Sequence, residues 1–186
     1  MKSARHLVLG AARSGKTRFA LNLASELARV RESPVIYVAT AEARDAEMRE
    51  RIARHRAERA ASWQTLEAPR ELARALAALE ASSVIVIDCL TLWLSNAMLV
   101  DFNAATSATA LPTWERERDA FMGWLARCEQ ALVIVSNEVG GGIVPTSALA
   151  RRFQSEQGWL NQDVARVCEK VTLVVAGLPL SIKAAG

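Results

Sequence analysis

Residues Gly10-Ala11-Ala12-Arg13-Ser14-Gly15-Lys16-Thr17 satisfy the pattern G-x-x-x-x-G-K-[ST] without a gap. No other feature constrains the fold as strongly, because the pattern works only as a turn between a buried strand and the start of a helix. Both flanks fit. His6-Leu-Val-Leu9 is an apolar β-type run, and Lys16–Val30 carries Phe19, Leu23, Leu27 and Val30 at helical spacing. The glycines let successive backbone N–H groups turn inward around a phosphate, and the helix N-terminus adds its partial positive charge. In that geometry Lys16 reaches the β- and γ-phosphates and the Thr17 hydroxyl ligates Mg²⁺. A chance glycine turn is the competing reading, and the Lys-Thr pair with both flanks in place argues against it. The chain is expected to bind a nucleoside di- or triphosphate.

Short β-type runs and longer helical ones alternate along the rest of the chain. Val35–Ala39 follows Pro34 as a second strand, Ala43–Ala61 is expected as a charged helix, and Trp63–Glu67 as a short extended piece. Pro69 is expected in the first turn of a helix ending near Glu80. Ser83–Ile87, Leu132–Val135 and Val171–Val175 are apolar without alternation, as parallel strands covered on both faces are. Helices are expected around Thr113–Cys128 and Ser147–Lys170, the latter interrupted near Gly158, with Asp101–Pro112 as the one long loop. Such alternation predicts an α/β parallel sheet, in a single domain spanning 1–186.

Composition narrows the class. A chain of 186 residues that is 51% hydrophobic and 23% charged is not expected to be disordered. Cys89, Cys128 and Cys168 are far apart and form no CxxC pair, which argues against a disulfide framework or zinc ribbon and for a cytoplasmic setting. The net charge of +3 is small and its arginines are interleaved with acids, so nucleic acid is not expected as a partner. No apolar run approaches the ~20 residues of a membrane span, and no signal-peptide h-region is apparent.

Further chemistry-bearing residues stand at strand ends or on one helix. Asp88 follows Val84–Ile87, where a carboxylate can hold Mg²⁺, or instead cap the next helix. Asn137 and Glu138 follow Leu132–Val135; Glu138 is either a general base or an acceptor for loop amides. Arg51, His55 and Arg59 fall on one helical face. A neutral imidazole there is a competent nucleophile, with guanidinium groups to clamp an attacked phosphate, although a plain solvated charged face has the same pattern. Trp93 and Trp159 could stack on a flat ligand or serve as core or interface.

Together these blocks resemble the bifunctional adenosylcobinamide kinase / adenosylcobinamide-phosphate guanylyltransferase family of cobalamin biosynthesis. The resemblance rests on Ala12–Lys16, Tyr37-Val-Ala-Thr40, Glu47–Ile52 with His55 and Arg59, Trp63–Glu67, Asp88–Asn96 and Ser136–Gly140. It continues through Gly142–Pro145, Leu149–Phe153, Asn161-Gln162 and Ala176–Pro179, in order over nearly the whole chain. The resemblance implies a RecA-like P-loop fold and two reactions: phosphorylation of adenosylcobinamide with ATP or GTP, then GMP transfer from GTP through a histidine to give adenosylcobinamide-GDP. It implies His55 as the covalent residue with Lys16 catalytic, and Arg56, Ala57, Glu58 and Arg59 lining the guanylyl site. Ala39, Thr40, Ala41, Glu67 and Asp88 are implied as further GTP contacts beside Gly10–Thr17, and a homotrimer as the assembly. The family commonly has proline after the arginine at Arg59, where this chain has Ala60. Two other classes stay open on the residues alone: a RecA-like ATPase acting on a polymer, and a single-activity small-molecule kinase.

Overall fold

The computed structural model describes residues 4–57, 59–103 and 111–184. Its elements in chain order are β1 (Arg5–Gly10), α1 (Lys16–Arg31), β2 (Val35–Ala39), α2 (Ala46–Ala57), β3 (Gln64–Glu67), α3 (Leu72–Ala77) and β4 (Val84–Asp88). They continue as α4 (Leu90–Asn103), α5 (Pro112–Arg127), β5 (Ala131–Asn137), α6 (Ala148–Val167), β6 (Lys170–Val175) and β7 (Leu178–Lys183).

The strands form one sheet in the order β3-β2-β4-β5-β1-β6-β7. The first six are mutually parallel and β7 closes the edge antiparallel to β6. The unalternating apolar runs lie where they must. Val84–Ile87 and Leu132–Val135 are fully buried in the middle of the sheet. Successive side chains point to opposite faces, so each strand feeds two cores. Leu7, Ile85, Ile87, Leu132 and Ile134 pack with Trp93, Trp114, Phe121 and Leu160 of α4, α5 and α6. Val8, Val84, Val86, Val133 and Val135 pack against Ala20, Leu21 and Ala24 of α1. Each such buried leucine or valine contributes about 1.5–3 kcal/mol over an exposed one. This is the RecA-like α/β architecture, with every parallel strand directing its C-terminal end to the same edge.

Several boundaries differ from the sequence expectation. Asp101 and Pro112 belong to α4 and α5, and residues 104–110 of the expected loop lie outside the described residues. The buried Asp101 carboxylate accepts from the N–H groups of Thr113 (3.0 Å) and Trp114 (3.1 Å), joining one helix to the next. Helix α4 carries no amphipathic periodicity because Leu90, Thr91, Trp93, Leu94, Asn96, Ala97 and Met98 are buried around most of its circumference. Helix α6 runs through Gly158 unbroken, since packing of its apolar stripe outweighs the roughly 1 kcal/mol cost of an interior glycine. Helix α3 begins three residues after Pro69. Helix α2 is shorter than expected: Asp45 Oδ1 accepts from Met48 N–H (2.7 Å) at its start, and it ends at Ala57.

Strand β7 was not expected at all. Its entry is Ala176-Gly177, with φ of 52° and 79°, as a two-residue hairpin turn of the primed type requires. Trp93 is core: fully buried, edge-on to Trp114 and Phe121, with Nε1 donating to Glu117 Oε2 (2.9 Å). Trp159 is exposed on α6.

Candidate active site

The phosphate loop connects β1 to α1 as the motif demands. Arg13 and Gly15 take positive φ (59° and 91°), which turns the loop backbone around its own interior. Gly10 has no room for a side chain: a Cβ would lie 2.7 Å from the Val174 carbonyl and closer still to Ser14 Oγ. Lys16, buried, donates from Nζ to Ala11 O (3.1 Å) across the loop. Ala11, Ala12 and Arg13 are exposed, so their backbone is open to an incoming phosphate. Ser14 Oγ is enclosed and has no hydrogen-bond partner among the described residues.

Beside the loop lies a cavity of about 320 Å³. It brings together residues from six places in the chain: Lys16 and Thr17, Ala39 and Ala41, His55, Arg59, Glu67 and Asp88 all line it. The sheet explains the convergence. Ala39 at the C-terminal end of β2 pairs in register with Glu67 at the end of β3 on one side and Asp88 at the end of β4 on the other, and Gly10 pairs with Asn137 at the end of β5. Open parallel sheets bind ligands at that edge.

Of the remaining expected residues, Thr40, Arg56 and Ala57 stand apart from the cavity wall. Thr40 is buried; its hydroxyl donates to Cys89 O (2.7 Å) and accepts from Cys89 N–H (2.8 Å). It thereby locks the segment between Ala39 and Ala41 to the end of β4. Arg56 and Ala57 are exposed at the end of α2. Glu58 lies outside the described residues. Arg59 follows the helix rather than extending it, so the shared helical face is not what brings it beside His55. Its guanidinium carbon sits 3.4 Å from the Tyr37 ring centroid, and Nη1 donates to Thr65 Oγ1 (3.1 Å).

Tyr37 is the residue that sequence reasoning missed. It is 2% exposed, and its hydroxyl donates to Asp88 Oδ2 (2.6 Å). Burial, and next the Asp88 carboxylate, push its ionisation far above the ordinary tyrosine range, so it remains a donor. A lone tyrosine inside a buried strand was the available signal, since a buried hydroxyl needs a partner. Cys89, also on the wall, is pushed up to about 11, chiefly by burial and then by Asp88, and stays an unreactive thiol.

A second layer holds the end of β5. Ser136 Oγ donates to Asn161 Oδ1 (2.7 Å), Gln157 Nε2 donates to both, and Asn161 Nδ2 donates to Asn137 O (3.0 Å). Glu138 is exposed and accepts from Gly140 N–H (2.7 Å), which favours the loop-acceptor role over that of a base.

Among the described residues no group of three or more His, Cys, Asp and Glu could hold a metal alone. Mg²⁺ in nucleotide sites takes one or two protein oxygens and completes its shell with phosphate and water. The Thr17 hydroxyl and Asp88 carboxylate, all-oxygen donors on one cavity wall, fit that requirement.

Fold and site define a nucleotide-binding P-loop protein of the RecA-like class. The structural likeness extends to the flagellar accessory protein FlaH from Methanocaldococcus jannaschii, with a TM-score of 0.55 over 98% of this chain and 79% of that one at 11% identity. The chain belongs to the cobinamide kinase / cobinamide phosphate guanyltransferase family, whose model matches residues 6–182. It is 46% identical to the bifunctional adenosylcobalamin biosynthesis protein CobP of Pseudomonas aeruginosa, over 96% of this chain and 97% of that protein. Identity to the bifunctional adenosylcobalamin biosynthesis protein CobU of Escherichia coli is 35%, over 95% and 98% respectively. It is accordingly an enzyme, a kinase and guanylyltransferase of cobalamin biosynthesis. No helix among the described residues is long and apolar enough to cross a membrane.

Proposed function

We propose that this chain phosphorylates the aminopropanol hydroxyl of adenosylcobinamide with ATP or GTP, and then joins GMP to the resulting phosphate through a guanylyl-His55 intermediate. The observation that carries this reading is that His55 lines the same cavity as Lys16, Thr17 and Asp88. A nucleotide with its terminal phosphates in the loop could therefore turn its α-phosphate toward the imidazole.

In the first reaction the acceptor hydroxyl attacks the γ-phosphorus. Its O–P bond forms as its proton passes to solvent, the bond to the β–γ bridging oxygen breaks, and nucleoside diphosphate leaves with that electron pair. Lys16 and the loop amides Gly10–Gly15 hold the charge that develops on the phosphate oxygens. In the second, an unprotonated His55 nitrogen attacks the α-phosphorus of GTP. The N–P bond forms and the α–β bridging bond breaks, with the electron pair leaving on pyrophosphate. An oxygen of the cobinamide phosphate then attacks the same phosphorus, the N–P bond breaks, and the imidazole recovers its electron pair. Arg59 lines the same cavity, which supports a role for its guanidinium in neutralising the attacked phosphate. Ala39, Thr40, Ala41, Arg56, Ala57, Glu58 and Glu67 are assigned to the nucleotide on family resemblance. Thr17 and Asp88 would hold Mg²⁺, whose positive charge would offset that of the phosphate oxygens.

The resemblance also supports one domain over 1–186 and a cytoplasmic homotrimer acting on a corrinoid, with no nucleic acid. Incubation with GTP labelled at the α-phosphate tests the central claim. Acid-labile, base-stable label should appear on the wild type and be lost in His55→Ala, while phosphorylation of the corrinoid persists. Label of equal strength on His55→Ala would sink the proposal.

A further inference from the structure

Tyr37 touches two of the site's charged residues and lines the cavity itself. Its hydroxyl holds one carboxylate oxygen of Asp88 at 2.6 Å, while the face of its ring carries the Arg59 guanidinium at 3.4 Å. We infer that Tyr37 is a shared positioning residue, fixing the carboxylate on the metal side and the guanidinium on the guanylyl side of one nucleotide site.

Three observations carry the inference. Tyr37 is nearly inaccessible and pairs in register with Thr65 of β3 and Val86 of β4, so its ring has little freedom to move. Asp88 begins at the end of β4, where one oxygen committed to Tyr37 sets the direction in which the other can face a cation. Arg59 has left helix α2, and its Nε has no hydrogen-bond partner among the described residues. The ring and the Thr65 hydroxyl are then the contacts that aim it, the ring holding the cation over its negative face. The Tyr37 register partner Thr65 completes the cradle, so β2 and β3 together do for Arg59 what a longer helix would otherwise have done.

Two parts of the side chain thus serve two ends of the ligand and separate by substitution. Tyr37→Phe removes only the hydroxyl, and Tyr37→Leu removes the ring as well. This inference rests on the proposed assignment of Asp88 and Arg59 to the nucleotide. Equilibrium binding of a fluorescent GDP analogue, titrated with and without Mg²⁺, reads each part without turnover. Tyr37→Phe should raise the half-saturating Mg²⁺ concentration about tenfold while leaving Mg²⁺-free affinity within about twofold. Tyr37→Leu should also weaken Mg²⁺-free binding about fivefold, as Arg59→Ala should, and the double variant should be no weaker than Tyr37→Leu alone. If Tyr37→Leu fails to fold, Arg59→Ala alone and combined with Tyr37→Phe supplies the comparison, and their effects should add. An unchanged Mg²⁺ profile in Tyr37→Phe overturns the Asp88 half. Wild-type Mg²⁺-free affinity in Arg59→Ala overturns the other. Absence of α-phosphate label on wild-type His55 would instead strike the guanylyl-histidine reading, and leaves these binding profiles to be judged on their own.

Discussion

The Gly177 N–H donates to the carbonyl of Ser14 at 2.8 Å, so the turn between β6 and β7 braces the phosphate loop from behind. The contact is close: a Cβ on Gly15 would lie 3.2 Å from the Gly177 Cα. The loop is therefore held between its own helix and a hairpin some 160 residues later in the chain, a distance read from the numbering. Preorganised amides bind phosphate without first paying to order themselves.

Gly15→Ala tests this brace. The residue sits at φ 91°, strained for any L side chain, and its new methyl meets the hairpin backbone. We expect a loss of about 1–2 kcal/mol in stability and at least a tenfold loss in nucleotide affinity by titration calorimetry. Undiminished affinity would show that the brace is irrelevant to binding.

Lys16→Ala should lower both reactions about 10²–10³-fold, because the proposed function uses one loop for both. Separate assays of corrinoid phosphorylation and of pyrophosphate release check it. A variant that lost only one activity would require a second nucleotide site.

Asn161→Ala should destabilise the end of β5. It leaves Ser136 Oγ without the acceptor it uses now and the Asn137 carbonyl without its side-chain donor, inside a buried network. A cost of about 1–3 kcal/mol is expected from the urea midpoint at constant slope.

Stability should fall on mild acidification through His6. Burial, and next the Lys170 charge, push its imidazole down to about 4 in the fold, against an ordinary value near 6.5. The unfolded chain therefore takes up the proton first. The stabilisation is complete above about pH 6.5 and is lost as pH falls toward 4, by about 1–2 kcal/mol after allowance for partial exposure. Its Nε2 lies 2.8 Å from Thr172 Oγ1, a contact that asparagine can replace. His6→Asn should flatten the thermal midpoint between pH 7 and 4.5; an unaltered slope would exclude His6 as the cause.

The phosphate loop, Asp88 and the central strands were legible because each depends on local chemistry. A G-x-x-x-x-G-K-T turn and an unalternating apolar strand have few other uses. Helix α4 shows no periodicity because it is apolar on nearly every side, and the local penalty at Gly158 suggests a break in α6 that its packing overrides. The Asn161 block carried a family resemblance but no visible role, since its partner Ser136 lies 25 residues earlier.

The sequence by itself determined the kind of ligand: successive inward amides, a lysine and a hydroxyl at a helix N-terminus suit phosphate whatever surrounds them. Tertiary structure alone decided which other residues share that phosphate. Placing β4, β5 and β1 side by side sets Asp88, Asn137 and Gly10 along one edge, and Tyr37 then reaches both Asp88 and Arg59. Sheet order and register are properties of long-range packing, which no local pattern encodes.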